Sequence, residues 1–187
     1  MLRLKEKYKK EVIPKMMEKF GYRNIMAVPR IEKVVLNIGF GKIVSGKSSK
    51  EREKIQESIL NDLSMIAGQR PILTKAKKSI SGFKIRKGMP VGAKVTLRNQ
   101  KMYDFLDRLI HIALPRSRDF RGLPTTAFDK RGHLTIGIKE HICFPEILPE
   151  KVKQILSFEI TVVSTAKSKE ESIELFRLLG FPIKVSE

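Results

Sequence analysis

Between Arg70 and Lys101 the chain carries ten Lys or Arg residues (Arg70, Lys75, Lys77, Lys78, Lys84, Arg86, Lys87, Lys94, Arg98, Lys101) and no Asp or Glu. A basic run of this density is a disordered tail unless apolar residues give it a shape. Here they do: Ile72, Leu73, Ile80, Phe83, Ile85, Val91, Val95 and Leu97 recur through it. Both ends have the pattern of strands. The middle, Ser79 to Pro90, holds Gly82, Gly88 and a terminal proline, and reads as a loop. The spacing therefore predicts an extended hairpin whose long basic loop has a Phe near its tip. A solvated hairpin normally mixes charge signs. A carboxylate-free one suits a polyanion with stackable bases.

The rest of the chain supplies elements to frame this hairpin. Leu4, Tyr8, Val12, Met16 and Phe20 predict a helix over residues 2–20, broken or kinked at Pro14 and ended by Gly21. Residues 30–40 alternate, with Val34, Leu36, Ile38 and Phe40 on one side and Lys33, Val35 and Asn37 on the other. Ser48 and Glu51 form a capping box ahead of a helix with Ile55, Ile59, Leu63 and Ile66 on one face. A strand follows near residues 72–77. Val91, Ala93, Val95 and Leu97 alternate with Lys94, Thr96 and Arg98. Phe105, Leu106, Leu109, Ile110 and Ala113 mark a third helix, stopped by Pro115. Residues 116–132 form a second long loop, and loops of that length are commonly functional. Leu134 to Ile142 and Phe158 to Thr165 alternate again. Ser168 and Glu171 form a second capping box for a helix ending at Leu179.

The order α-β-α-β-β-α-β-β-α, without internal repeats, predicts an α+β fold. We expect a mostly antiparallel sheet of about five strands with helices packed on one face. If the strands are neighbours, the open face carries Lys33, Asn37, Lys94, Thr96 and Arg98. That platform has no row of aromatics, so it does not match the stacking surface of an RNA recognition motif. It suits sugar, phosphate and shape contacts.

Length points to a single domain, 1–187, with loops protruding at about 78–90 and 116–132. A chain of this size can bury about 70% of its unfolded surface and needs no disulfide or metal to fold. Its formal net charge of +18 points to nucleic acid or an anionic membrane. No apolar run approaches the roughly 18 residues of a membrane span, and the basic N-terminus lacks the apolar core of a signal peptide. Residues 1–145 hold 32 basic and 13 acidic side chains, whereas residues 146–187 hold 6 and 7, so the C-terminal part reads as structural or protein-facing. The single cysteine, Cys143, excludes an internal disulfide and fits a reducing, cytoplasmic setting.

One motif points elsewhere. Gly41-Lys-Ile-Val-Ser-Gly-Lys-Ser48 fits G-x-x-x-x-G-K-[ST], after a strand and before a helix, as a nucleotide-binding P-loop would. No apolar strand ending in Asp completes a Mg²⁺ site, and Ser48 already serves as a helix cap. His141 and Cys143, two residues apart on a predicted strand, fall short of a metal-ligand set and read as unrelated surface residues. His111 reads as an edge or interface residue. No nucleophile–base pair or carboxylate pair stands out, so no enzyme activity, cofactor or metal is expected. A free RNA chaperone remains a rival to a structural RNA-binding role.

Several segments together resemble the bacterial large-subunit ribosomal protein five family. They are Pro29-Arg-Ile-Glu-Lys-Val-Val-Leu-Asn-Ile-Gly39, Ile66-Ala-Gly-Gln-Arg-Pro-Ile-Leu-Thr-Lys-Ala-Lys-Lys-Ser79, Gly88-Met-Pro-Val-Gly-Ala-Lys-Val-Thr-Leu-Arg98, Arg118-Asp-Phe-Arg-Gly-Leu123, and Ser164-Thr-Ala-Lys-Ser168 with Gly180-Phe-Pro182. The resemblance runs in order along essentially the whole chain. It implies a structural protein of the large ribosomal subunit that binds 5S rRNA in the central protuberance, beside 23S rRNA and neighbouring large-subunit proteins. It implies 5S rRNA contacts at Lys33, Asn37, Gln69, Thr96 and Arg98, to which the alternation adds Lys94. It also implies contact with P-site tRNA through the basic loop, where Lys78, Phe83, Lys84, Arg86 and Lys87 stand. A small-subunit head protein would be met at an intersubunit bridge near Arg116, Arg118 and Arg121.

Overall fold

Alternation decides the sheet. In the computed structural model, which describes residues 3–118, 120–152 and 154–184, every strand except one short edge strand buries one set of side chains and leaves the other at least partly exposed. The strands are β1 (Ile31–Gly39), β2 (Ile72–Lys75), β3 (Pro90–Leu97), β4 (Leu134–Ile138) and β5 (Phe158–Ser164). They form one sheet in the order β2-β3-β1-β5-β4, and every pairing is antiparallel. The fold is α+β, as the alternation predicts.

The inner face supplies Val34, Leu36, Ile38, Ala93, Val95, Leu97, Ile136, Ile160 and Val162 to one continuous core. Helices cover that face only. The capped helix Ser49–Ala67 contributes Ile59, Leu63 and Ile66, and Lys169–Leu179 contributes Leu175, Phe176 and Leu179. Phe40, Phe105, Phe144 and Phe176 are fully buried, and each contributes about 1.5–3 kcal/mol by leaving water.

Pro14 is expected to break or kink its helix and Pro115 to stop the third; both helices instead carry past the proline through a π turn, the third by a single residue. The N-terminal helix runs through Leu4–Lys7, a π turn at Tyr8–Val12, and Ile13–Phe20. The third helix repeats the device, with Asn99–Arg108, a π turn at Leu109–Ala113, and Leu114–Arg116. In each case the N–H just before the proline reaches back five residues, Ile13 to Tyr8 and Leu114 to Leu109. The wider turn shifts the ladder where proline has no N–H to give.

Other boundaries also move. β2 ends at Lys75, and β4 ends at Ile138 instead of continuing to Ile142. The segment after Phe40 is not all loop, because Gly41–Val44 makes one helical turn. The first capping box is complete, with Ser48 and Glu51 satisfying each other's backbone N–H groups. The second is half a box. Ser168 Oγ accepts from Glu171 N–H, but the Glu171 carboxylate accepts from Lys167 N–H.

A β-bulge at Ile31/Lys33 shapes β1. Strict alternation would turn Ile31 outward. The extra residue, Glu32, restores Ile31 to the core and places its own carboxylate outside.

Candidate nucleic-acid interface

The pairing registers assemble the open face in rows across the strands. One row runs Ile72, Lys94, Asn37, Glu159, Gly137. The next runs Thr96, Val35, Thr161, Thr135. Lys33 stands opposite Val163 in a third, and Arg98 follows the last residue of β3 at the same end. Residues directly opposite on one face lie roughly 4.5–5.5 Å apart at Cβ. Lys94 and Asn37 are therefore immediate neighbours, and Thr96 lies beside Val35. Asn37, Lys94, Thr96 and Arg98 are exposed, and Lys33 is half-buried. Gln69 is exposed just past the end of the capped helix, at the entrance to edge strand β2.

Three features of this face escape a reading of the sequence. Glu32, at the bulge, lies 3.5 Å from Arg98 and 3.7 Å from Lys33, so one carboxylate steers two of the cations. Glu159 stands beside Asn37, signalled only by the Phe158/Ile160/Val162 alternation of β5. Lys139, just past β4, borders three neighbouring cavities. One of these is a hollow of about 470 Å³ lined by Asn37, Gly39, Gly137, Lys139, Ser157 and Glu159. Gly39 and Gly137 leave it open because neither has a side chain.

The basic loop is ordered by its own backbone. Ile80 and Ile85 form an antiparallel bridge around a 3-10 turn, Ser81–Phe83. Lys87 N–H donates to Ser79 Oγ at 2.8 Å, and Ala76 exchanges hydrogen bonds with Gly88 and Met89. Phe83 is 66% exposed and does not fold back into the core. Lys78, Lys84, Arg86 and Lys87 are all exposed. Ile85 is half-buried, and its Cδ1 lies over Gly41 beside Val91, so it serves packing.

The second loop brings Arg116 and Arg118 together with Lys139 and Glu140 around a pocket of about 390 Å³. Arg118 and Arg121 border an adjoining groove with Phe120. The loop's middle is pinned. Leu123 and Phe128 are buried, and Leu123 N–H donates to Pro182 O at 2.7 Å. Asp119, counted in this loop from sequence, lies outside the described residues.

His141 and Cys143 are not on a strand but on a 3-10 turn, and both are buried rather than at the surface. The Nδ1 of His141 accepts from Leu156 N–H at 3.1 Å, and burial pushes its pKa below the usual range, so the ring is neutral. Burial pushes the Cys143 thiol up to about 11, which keeps it protonated. His111 is exposed, 3.4 Å from Asp107 on the preceding turn. In the P-loop-like segment, Ser48 Oγ is 2.9 Å from the Glu51 carboxylate, so the hydroxyl that would hold Mg²⁺ is engaged in the cap.

Comparison with known proteins identifies the family. Residues 24–86 match the family model described as Ribosomal protein L5, and residues 90–183 match the model of the C-terminus of the same ribosomal family. The chain belongs to the ribosomal protein L5 family. A relative from Caldanaerobacter subterraneus subsp. tengcongensis is 54% identical over 182 residues, 97% of this chain and 98% of the relative. One from Clostridium tetani is 55% identical over 180 residues, 96% and 97% of the two chains. One from Syntrophomonas wolfei is 53% identical over 184 residues, 98% of this chain and 100% of the relative. All three carry the description large ribosomal subunit protein uL5. As a member of this family the chain is a structural, RNA-binding constituent of the large ribosomal subunit and not an enzyme. No described helix is long and apolar enough to cross a membrane.

Proposed function

We propose that the uncovered face of the sheet binds 5S rRNA and anchors it in the central protuberance, beside 23S rRNA and neighbouring large-subunit proteins. The observation that carries this is the row structure of that face. Lys33, Asn37, Lys94, Thr96 and Arg98 share one surface on which no helix packs. Cations there neutralise phosphates. Asn37 and Thr96 offer short donors and acceptors to sugars and base edges, and Gln69 adds an amide at the rim. The resemblance of the whole chain to its family supports the choice of 5S rRNA over other RNAs.

In the same proposal the basic loop faces P-site tRNA, with Lys78, Lys84, Arg86 and Lys87 toward phosphates and Phe83 toward a sugar or base. The arginine-lined pocket at Arg116, Arg118 and Arg121 faces a protein of the small-subunit head. Its cations suit an acidic partner segment.

Asn37→Ala and Thr96→Ala test the open face directly. Each leaves an RNA group without its partner at a cost of about 1–3 kcal/mol, roughly a 5- to 150-fold loss of 5S rRNA affinity. The circular dichroism spectrum should be unchanged. Unaltered affinity of both variants at physiological salt would exclude this face as the binding surface.

A further inference from the structure

The Gly41–Ser48 segment is not used by the function proposed above, yet it builds one wall of a cleft. The other wall is the returning half of the basic loop. Lys47, Arg52, Lys84, Arg86 and Lys87 converge on a space of about 480 Å³, with Met89 between them and no carboxylate in the lining. Gly46 turns the chain there with φ +78°, a conformation that favours glycine. The two walls are joined, since Ser45 Oγ donates to Phe83 O at 2.8 Å.

Arg52 sits one turn into the capped helix and points part of its guanidinium inward. Its Nη1 reaches only the Met89 sulfur, at 3.8 Å, a weak acceptor. Its Nε is buried without any partner. Among the described residues none of the five cations forms an ion pair. A half-buried guanidinium with an unmet N–H and four more cations around it is short of one thing, an oxyanion. A planar fork matches a phosphate's paired oxygens, and lysines add point charge.

We propose that this cleft binds a backbone phosphate of the RNA that the basic loop meets, clamping the loop between the Gly46–Lys47 turn and Arg52. The proposal rests on the RNA-binding role of that loop and is separate from the open sheet face. The phosphate belongs to a nucleic-acid chain and not to a Mg²⁺-nucleotide, because Glu51 occupies the Ser48 hydroxyl that a metal would need. Phe83, next to Lys84 and exposed, then lies where it can meet the adjoining sugar or base.

The experiment uses the full-length protein assembled into large subunits with P-site tRNA bound. Cys143 is buried, so Lys47→Cys provides the one exposed thiol for an iron chelate that releases hydroxyl radicals. Cleavage confined to a short run of one RNA backbone is expected, with none above background in the unsubstituted protein. Lys47→Gln/Arg52→Gln should remove backbone protection at that run while leaving the free protein's 5S rRNA affinity within about twofold. Arg52→Lys, which keeps the charge but loses the planar fork and the unmet Nε–H, should retain only part of the protection, and an unchanged circular dichroism spectrum of the double variant guards against misfolding. The proposal is overturned by an absence of cleavage from position 47, by protection that persists in the double variant, or by saturable Mg²⁺-dependent ATP binding that the double variant loses. If cleavage appears while Asn37→Ala and Thr96→Ala leave 5S rRNA affinity unchanged, the cleft stands and the open-face proposal fails.

Discussion

At Gly92 a side chain would have no room. A Cβ there would lie 2.6 Å from Thr74 Oγ1 and 2.8 Å from the backbone oxygen of Ile38. Thr74 can turn its side chain away, but Ile38 O belongs to the central strand β1 and cannot move without disturbing the sheet. Gly92→Ala should therefore destabilise by about 1–3 kcal/mol, the usual cost of overpacking. A thermal melt of the isolated variant would register this as a lower midpoint, and an unchanged midpoint would mean the strands separate freely at that point. Alternation places Gly92 on a strand and Gly88 in a loop, but nothing in the sequence marks Gly92 as crowded, because the crowding comes from its two partner strands, Thr74 of β2 on one side and Ile38 of β1 on the other. Glu32 is illegible for a related reason. Its neighbours alternate cleanly, and only pairing with β5 reveals the bulge that sets it beside Arg98.

Among the elements, those fixed by local pattern are legible. Four of the five strands follow period-two alternation, the short edge strand β2 being the exception, and the capped helix follows from Ser48, Glu51 and its apolar face. The proline-bearing helices are misjudged because a π turn leaves no mark in the hydrophobic spacing, only in the backbone ladder. His141 and Cys143 are misplaced because Ile142, in phase with Leu134, Ile136 and Ile138, imitates a longer strand, while the chain in fact turns inward to meet Leu156. The basic loop is located by its glycines and charge, but its tie to Ser45 depends on a contact 38 residues apart. That tie bears on function. Replacing Lys84 to Met89 with a short glycine link removes three exposed cations, the loop's closing bonds to Ala76 and the packing of Ile85 and Met89 at the edge of the core, yet it leaves the open face untouched. We expect 5S rRNA affinity and subunit assembly to remain near normal and P-site tRNA to dissociate faster from the assembled ribosome. Loss of 5S rRNA binding with normal tRNA retention would mean the two surfaces have exchanged roles.

Across the whole molecule the cations differ in how far they are already paired. On the helical side Glu174 of the last helix pairs with Lys19 at 2.8 Å and Arg177 at 3.6 Å. Among the described residues, cations without an ion pair crowd the hairpin, at Lys75, Lys77, Lys78, Lys84, Arg86 and Lys87, and Lys94 stands with them on the open sheet face of a chain whose net charge is +18. A polyanion bound there releases condensed counterions, so log K for 5S rRNA should fall linearly and steeply with log salt concentration. Individual cations should not contribute equally. Among the described residues Lys94 has no carboxylate within ion-pair distance, whereas Arg98 already leans on Glu32 at 3.5 Å. A charge partly neutralised before binding displaces less counterion when a phosphate arrives. Lys94→Gln should flatten the salt slope by about 0.7–0.9, the value for one phosphate contact. Arg98→Gln should flatten it by less, and Glu32→Gln should restore part of the difference by freeing Arg98 to act as a full charge. The three slopes can be measured by filter binding on full-length protein across a salt series. A slope indifferent to Lys94→Gln would mean that Lys94 faces bases or protein and that phosphate is held elsewhere on the molecule.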